Sequence, residues 1–304
     1  MPATNLELKA RDADPGATAE RCRALGAAER GVLEQRDTYF SGRHGRLKLR
    51  EQTGTGAELI AYRRPDAAEA QESAFVRAPA SDPALLREAL DAALGETVVV
   101  AKRRRLFEWE DVRIHLDDVE GLGTFIELEA MVGPGLNAPE EAAEKVARLR
   151  TELAISDDAL VAVGYADLLR DSEVAQSLLR AADAAMRTAY APYSEFKVGA
   201  AVRARNGAVY AGANVENVAY PQGQCAEASA LGALVAAGES AITAVAVVAE
   251  KVEVCPPCGG CRQRLAEFGS PDTPVYLGRP GAIPHTTTLA ELLPMSFGRG
   301  ELGR

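Results

Sequence analysis

The sequence predicts an α+β domain rich in antiparallel strands followed by a layered α/β domain, and three observations carry that expectation. The chain has 304 residues, enough for two ordinary domains. Its first half alternates apolar and charged residues with period two, whereas its second half alternates short Val/Ala-rich strands with helices. Hydrophobic residues make up 47% and charged residues 26%, which supplies real cores and argues against general disorder.

The strand pattern begins at once. Leu6 and Leu8 oppose Glu7, Lys9 and Arg11; Leu47 and Leu49 oppose Arg46, Lys48 and Arg50; Ile126 and Leu128 oppose Glu127 and Glu129. Helices are expected over 17–25, 84–94 and 139–153, the last with an acidic first turn and basic later turns. Asp171-Ser172 reads as the cap of a helix carrying Val174, Leu178, Leu179, Ala182 and Met186, so the domains are drawn at 1–171 and 172–304. Beyond it come a strand at 197–204, an Asn206-Gly207 hairpin turn and a strand at 209–213. A helix from Cys225, a buried strand at 242–249 and a helix from Cys258 complete the pattern.

The formal net charge of -10 argues against a nucleic-acid or anionic-membrane surface, which needs clustered positive potential. Met1-Pro2-Ala3-Thr4 shows no leader pattern, and no stretch approaches the roughly 20 apolar residues that span a bilayer. A cytoplasmic protein acting on small molecules is expected. Of five cysteines, Cys225, Cys255, Cys258 and Cys261 cluster while Cys22 stands apart, a pattern of metal binding or catalysis rather than of a disulfide scaffold.

Cys225-Ala226-Glu227 followed by Pro257-Cys258-Gly259-Gly260-Cys261 resembles the signature of nucleoside and nucleotide deaminases in its three-cysteine form. Three thiolates occupy three tetrahedral positions on zinc and leave a fourth for water, whose pKa the metal lowers toward about 7. Glu227, two residues after a ligand at a helix start, reaches that position without occupying the metal. A closed structural zinc site wants a second cysteine pair, and neither Cys22 nor Cys225 has a paired neighbour. Cys255 also forms a CxxC with Cys258, but Pro257 sets the deaminase register and leaves Cys255 a spare thiol, with Cys22 a small buried hydrophobe.

The resemblance to the small tetrameric cytidine deaminases extends from residue 173 onward. It includes Tyr193-Ser194-Glu195-Phe196-Lys197-Val198-Gly199, Asn214-Val215-Glu216-Asn217, Arg262-Gln263, Leu293-Pro294 and Phe297-Gly298. It implies a three-layer α/β fold, Phe196 packed on a pyrimidine beside Ala226, Asn214 and Glu216 on the ribose hydroxyls, and Phe297 closing the pocket of a neighbouring subunit. Hydrolytic deamination at C4 of cytosine is implied, of cytidine or 2'-deoxycytidine, with Glu227 carrying protons to N3 and to departing ammonia. A modified nucleoside or an aminonucleoside is the alternative substrate. Many relatives place Arg after Cys-Ala-Glu to donate to the thiolates; here Ala228 and Ser229 follow, which leaves helix amides, Ser229 or Arg262 to take over.

In the first half, Asn5-Leu6-Glu7-Leu8-Lys9, Arg46-Leu47-Lys48-Leu49-Arg50 and 115–129 resemble the CYTH domain over about residues 4–170. That family includes class IV adenylyl cyclases and thiamine triphosphatases, and implies an antiparallel β tunnel that binds a triphosphate. Alternation directs Lys9, Arg11, Lys48, Arg50, Arg63, Lys102 and Arg104 to the lumen as phosphate clamps. By resemblance Glu7, Glu127 and Glu129 are ligands for magnesium or manganese. The family's first Glu is Asn5 here, which leans toward a nucleotide- or polyphosphate-binding module rather than a triphosphatase or cyclase.

Overall fold

Period-two alternation, carried through eight strands, closes the first part of the chain into an antiparallel barrel. The computed structural model describes residues 3–63, 65, 69–133 and 135–298. It divides into two units, 1–170 and 171–304.

The first unit runs β1 (Ala3–Arg11), α1 (Pro15–Ala24), β2 (Ala28–Phe40), β3 (Arg46–Gln52), β4 (Gly56–Arg63), β5 (Gln71–Ala80), α2 (Pro83–Leu94), β6 (Glu96–Trp109), β7 (Val112–Val119), β8 (Gly123–Val132) and α3 (Pro139–Glu152). Around the barrel the order is β1-β5-β4-β3-β2-β6-β7-β8, which leaves no open sheet edge. Each helix starts with proline in its first turn, where a missing N–H costs nothing. Asp14 and Asp82 cap α1 and α2 by accepting from the N–H groups of Ala17 and Leu85, so both helices begin slightly earlier than the apolar spacing suggests.

One parity of the strands faces outward into a conventional core. Leu8, Ala10, Phe107, Ile114 and Leu128 pack with Ala19 and Cys22 of α1 and with Ala142, Val146 and Leu149 of α3. Burying such side chains stabilises by about 1.5–3 kcal/mol each. The opposite parity therefore points into the lumen, and it is charged.

The expected helix cap at Asp171-Ser172 is corrected by the structure. Helix α4 spans Tyr165–Arg187 without a break, so both residues lie inside it. Nothing from Tyr165 to Val174 interrupts a helix, and the N–H groups of Asp167 and Leu168 already bond to the Gly164 carbonyl.

The second unit continues with β9 (Val198–Ala204), β10 (Val209–Ala213), α5 (Ala226–Ala236), β11 (Ile242–Ala249), α6 (Gly259–Phe268), β12 (Pro274–Leu277), β13 (His285–Thr288) and α7 (Leu289–Leu292). The sheet order is β10-β9-β11-β12-β13, with β11 and β12 parallel and the other pairs antiparallel. Leu178, Leu179, Ala182 and Met186 of α4 cover one face, against Ala201, Ala244, Ala246 and Val248. Ala230 and Leu234 of α5 and Leu265 of α6 cover the other, against Ala200, Val202, Val245 and Val247. The result is three layers. Two glycines set their spacing: a Cβ at Gly199 would lie 1.9 Å from the Ala182 carbonyl oxygen, and one at Gly212 would lie 2.4 Å from the Ala230 nitrogen. Among the described residues no helix is long and apolar enough to cross a membrane.

Candidate metal centre and charged lumen

Two helix starts bring the cysteines together. Cys225 is the N-cap of α5 and Cys258 the N-cap of α6, while Cys261 lies in the first turn of α6. The Cys225 and Cys258 sulfurs are 3.9 Å apart, and all three sulfurs lie within 4.8 Å of one another. A tetrahedral ion with sulfur bonds near 2.3 Å requires ligands about 3.8 Å apart, so the donor set and its spacing fit zinc. Cys261 is buried and Cys258 exposed, which leaves the cluster accessible from one side.

Burial, then the charge of Cys258, raises the Cys225 thiol; burial, then the charge of Glu227, pushes Cys261 far up. The Cys261 backbone N–H lowers Cys258. A divalent cation reverses the two upward shifts, because its own charge dominates the site. Glu227 is 4% exposed, and its Oε2 lies 3.3 Å from the Cys261 sulfur, beside the cluster and outside it.

Neither side chain considered as a substitute for the missing arginine reaches the sulfurs. The Ser229 hydroxyl donates to the Ala213 carbonyl at 2.9 Å, and Arg262 donates to the carbonyls of Pro257 at 2.8 Å and Leu292 at 2.9 Å. What remains is the amide-rich start of two helices, which favours negative charge.

Phe196 is half-buried and Ala226 fully buried. Asn214 accepts from the Val198 N–H at 2.8 Å and donates to the Phe196 carbonyl at 2.9 Å, and Glu216 accepts from the N–H groups of Tyr193 and Ser194 and from the Ser194 hydroxyl. Both therefore also hold loop 193–198. Ser194 has a place here that its motif alone did not disclose. Phe297 is 62% exposed, and Cys255 lies outside the sulfur cluster.

A cavity in the barrel lumen shares Arg50, Arg77, Arg104 and Glu129 with the lining of a second. Lys9, Lys48, Lys102 and Arg104 line it as expected. Arg63 does not: Ile60 and Tyr62 face inward on β4, so Arg63 falls on the outer parity. Arg11 shares the lumen parity but lies exposed at the strand end, 5.1 Å above the Phe125 ring with a donor to the Leu122 carbonyl. Arg46 and Arg77 line the cavity instead. The alternation of Arg46 with Lys48 and Arg50 was the available signal.

These cations are interlocked with acids. Arg50 grips Asp37 through two bonds of 2.7 Å, and Lys48 reaches it at 2.8 Å. Arg104 forks onto Asp117 at 2.7 and 2.6 Å and also meets Glu127, which Lys9 reaches at 2.9 Å. Tyr165 donates to Asp117 at 2.9 Å beneath Lys9 and Lys102. Burial would raise Asp37, but Arg50 and Lys48 outweigh it and hold the carboxyl well below its usual range. Burial, reinforced by Arg50, brings Lys48 down to about 7 against the pull of Asp37. Of the three carboxylates expected to bind magnesium, Glu127 and Glu129 cluster with His115, whereas the Glu7 carboxylate meets Lys9 at 3.3 Å.

The profile of the CYTH domain matches residues 3–165, and that of the cytidine and deoxycytidylate deaminase zinc-binding region matches 172–277. A cytidine deaminase of Halalkalibacterium halodurans is 44% identical over 122 residues, covering 40% of this chain and 92% of that protein. Another, from Sporosarcina psychrophila, is 42% identical over 127 residues, with 42% and 93% covered. The crystal structure of a Burkholderia pseudomallei cytidine deaminase is 44% identical, covering 40% of this chain and 97% of that one, with a TM-score of 0.38. The chain therefore belongs to the CYTH domain family through its first half and to the cytidine deaminase family through its second.

Proposed function

We propose that the second unit hydrolytically deaminates cytidine and 2'-deoxycytidine, and that the barrel binds a triphosphate-bearing ligand. The observation that carries the first part is the gathering of Cys225, Cys258 and Cys261 with the Glu227 carboxylate beside them. The three thiolates hold zinc, which when bound supplies Lewis acidity and a nucleophile at neutral pH. Glu227 moves the protons, passing one from the attacking water to the ring N3 and then a second, from the hydroxyl formed at C4, to the leaving amine. Its burial beside the cluster keeps bulk water from competing for those transfers. Phe196 and Ala226 flank the pyrimidine, while Asn214 and Glu216, fixed by their bonds to loop 193–198, keep further polar capacity for ribose hydroxyls. A ligand without the sugar leaves those groups unpaired, so cytidine is expected to outcompete free cytosine.

Loss of cytidine absorbance, followed alongside zinc analysis, tests this reading. About one zinc per chain is expected, with a loss of at least about a hundredfold in Glu227→Gln that leaves zinc in place. Equal activity in that variant, or a preference for free cytosine, would overturn it. Tyr190, Val218, Tyr220 and Phe297 are exposed apolar side chains of this unit, and they support assembly of four chains with Phe297 reaching a neighbour's pocket. Light scattering of the intact protein reads that mass.

For the barrel, the cation-rich lumen supports anion binding. Asn5, buried with an Oδ1 unpartnered among the described residues where the family has a further carboxylate, favours binding over turnover. Incubating the full chain with ATP, thiamine triphosphate or tripolyphosphate and a divalent ion decides: retained ligand without released phosphate is expected, and phosphate release refutes the binding-only view.

A further inference from the structure

The loop that carries Phe196 bends through an unfavourable backbone. Glu195 has a φ of 53°, in the left-handed region that residues with a Cβ rarely adopt. Such strain persists only where the surroundings over-determine it, and here a hydrogen bond holds the chain on either side. The Glu195 N–H donates to the Ala191 carbonyl at 3.0 Å, and the Phe196 N–H folds back onto the Ser194 hydroxyl oxygen at 3.0 Å. A hydroxyl that accepts there keeps its single hydrogen for another partner, and that partner is the Glu216 carboxylate.

Ser194 thereby acts on Glu216 from a fixed direction. The Tyr193 N–H, at 2.8 Å, and the Ser194 N–H, at 3.2 Å, both reach Oε2, while the Ser194 hydroxyl reaches Oε1. Donation by that hydroxyl is the main cause that lowers the Glu216 carboxyl below its ordinary value, so the group is ionised and only accepts. A carboxylate offers about four lone-pair positions, and the donors among the described residues leave one of them, on Oε1. We propose that Ser194 is a positioning residue for sugar recognition: its hydroxyl aims the open lone pair of Glu216 at one hydroxyl of the nucleoside's sugar, and so sets how strongly a sugar bearing ring hydroxyls is preferred over one without them. This rests on the deaminase reading above, in which Glu216 meets the sugar. Acting through Glu216, the serine contributes to binding and not to the chemical step.

Steady-state kinetics of the full zinc-loaded chain on cytidine and on 2',3'-dideoxycytidine test it, with Ser194→Ala and Ser194→Thr. In Ser194→Ala the KM for cytidine is expected to rise about tenfold with kcat within about threefold, as when binding shared by ground and transition states is lost. The dideoxynucleoside lacks both ring hydroxyls and should lose less than about twofold, so the preference for cytidine falls about fivefold. Ser194→Thr keeps the hydroxyl and is expected to bring KM back to within about threefold of the wild type. In a Glu216→Gln background the effect of Ser194→Ala should shrink below about twofold, because the two residues act as one unit. An unchanged KM, equal losses on the two substrates, a fall in kcat larger than the rise in KM, or no rescue by threonine overturns the proposal. So does an undiminished effect in the Glu216→Gln background, or loss of zinc or of circular dichroism in Ser194→Ala, which makes the role a structural one. A wild-type chain inactive on cytidine overturns the deaminase reading and this proposal with it, whereas an active wild type with any of those outcomes overturns this proposal alone.

Discussion

The two sites of this chain are built on opposite principles. The cysteine cluster draws its chemistry from one stretch of 37 positions, 225 to 261, and positions it on two helix starts, so backbone geometry does most of the placing. The barrel lumen gathers side chains from Asn5 to Tyr165, and its cations and acids hold one another. A backbone-held site tolerates the loss of a neighbouring polar group. A mutually compensated network does not, because every removal leaves a buried charge without its counterpart.

The sharpest way to break that contrast is Asp37→Asn, which leaves Lys48 and Arg50 without their shared acid. A loss of about 3–5 kcal/mol is expected in denaturant melts of the barrel, with zinc content still near one per chain. A loss under about 1 kcal/mol would mean that the network relaxes and is not interdependent.

On the deaminase side the vulnerable point is packing. Gly199→Ala drives a methyl group into the Ala182 carbonyl and is expected to cost about 1–3 kcal/mol, with the Val-rich sheet melting earlier.

A smaller effect concerns pH. Lys48, brought down to about 7 by burial and then Arg50, is charged below that value and neutral above it. Anion affinity is thus expected to fall about tenfold as pH rises from 6 to 8.5, and Lys48→Met should flatten the part of the profile not due to the ligand's own protons. Because the unfolded lysine keeps its ordinary value of 10.5, the unfolded chain binds the extra proton between about 7 and 10.5. The contribution of Lys48 to stability therefore rises with pH across that window. A calorimetric titration over pH checks the affinity.

The smallest change is expected of Ser229→Ala. It removes a hydrogen bond from α5 to the Ala213 carbonyl and should cost about 1 kcal/mol without altering zinc affinity. A tenfold drop in zinc affinity would show that the hydroxyl serves the thiolates after all.

The sequence by itself determined the cysteine cluster, the glutamate beside it and the alternation of the strands. Short-range spacing around helix starts and the two-residue period of a strand are properties of the local backbone, so Cys225, Glu227, Cys258 and Cys261 could be read together, as could Lys48 with Arg50. Only the tertiary structure decided which charges share the lumen. Arg63 fell outside and Arg77 inside because facing is set by strand register, which no single strand reveals. The same holds for His115 beside Glu127, and for Ser229 and Arg262 turning to carbonyls instead of sulfurs. Those contacts join residues far apart in the chain, and closing a barrel or stacking helices on a sheet is what brings them within reach.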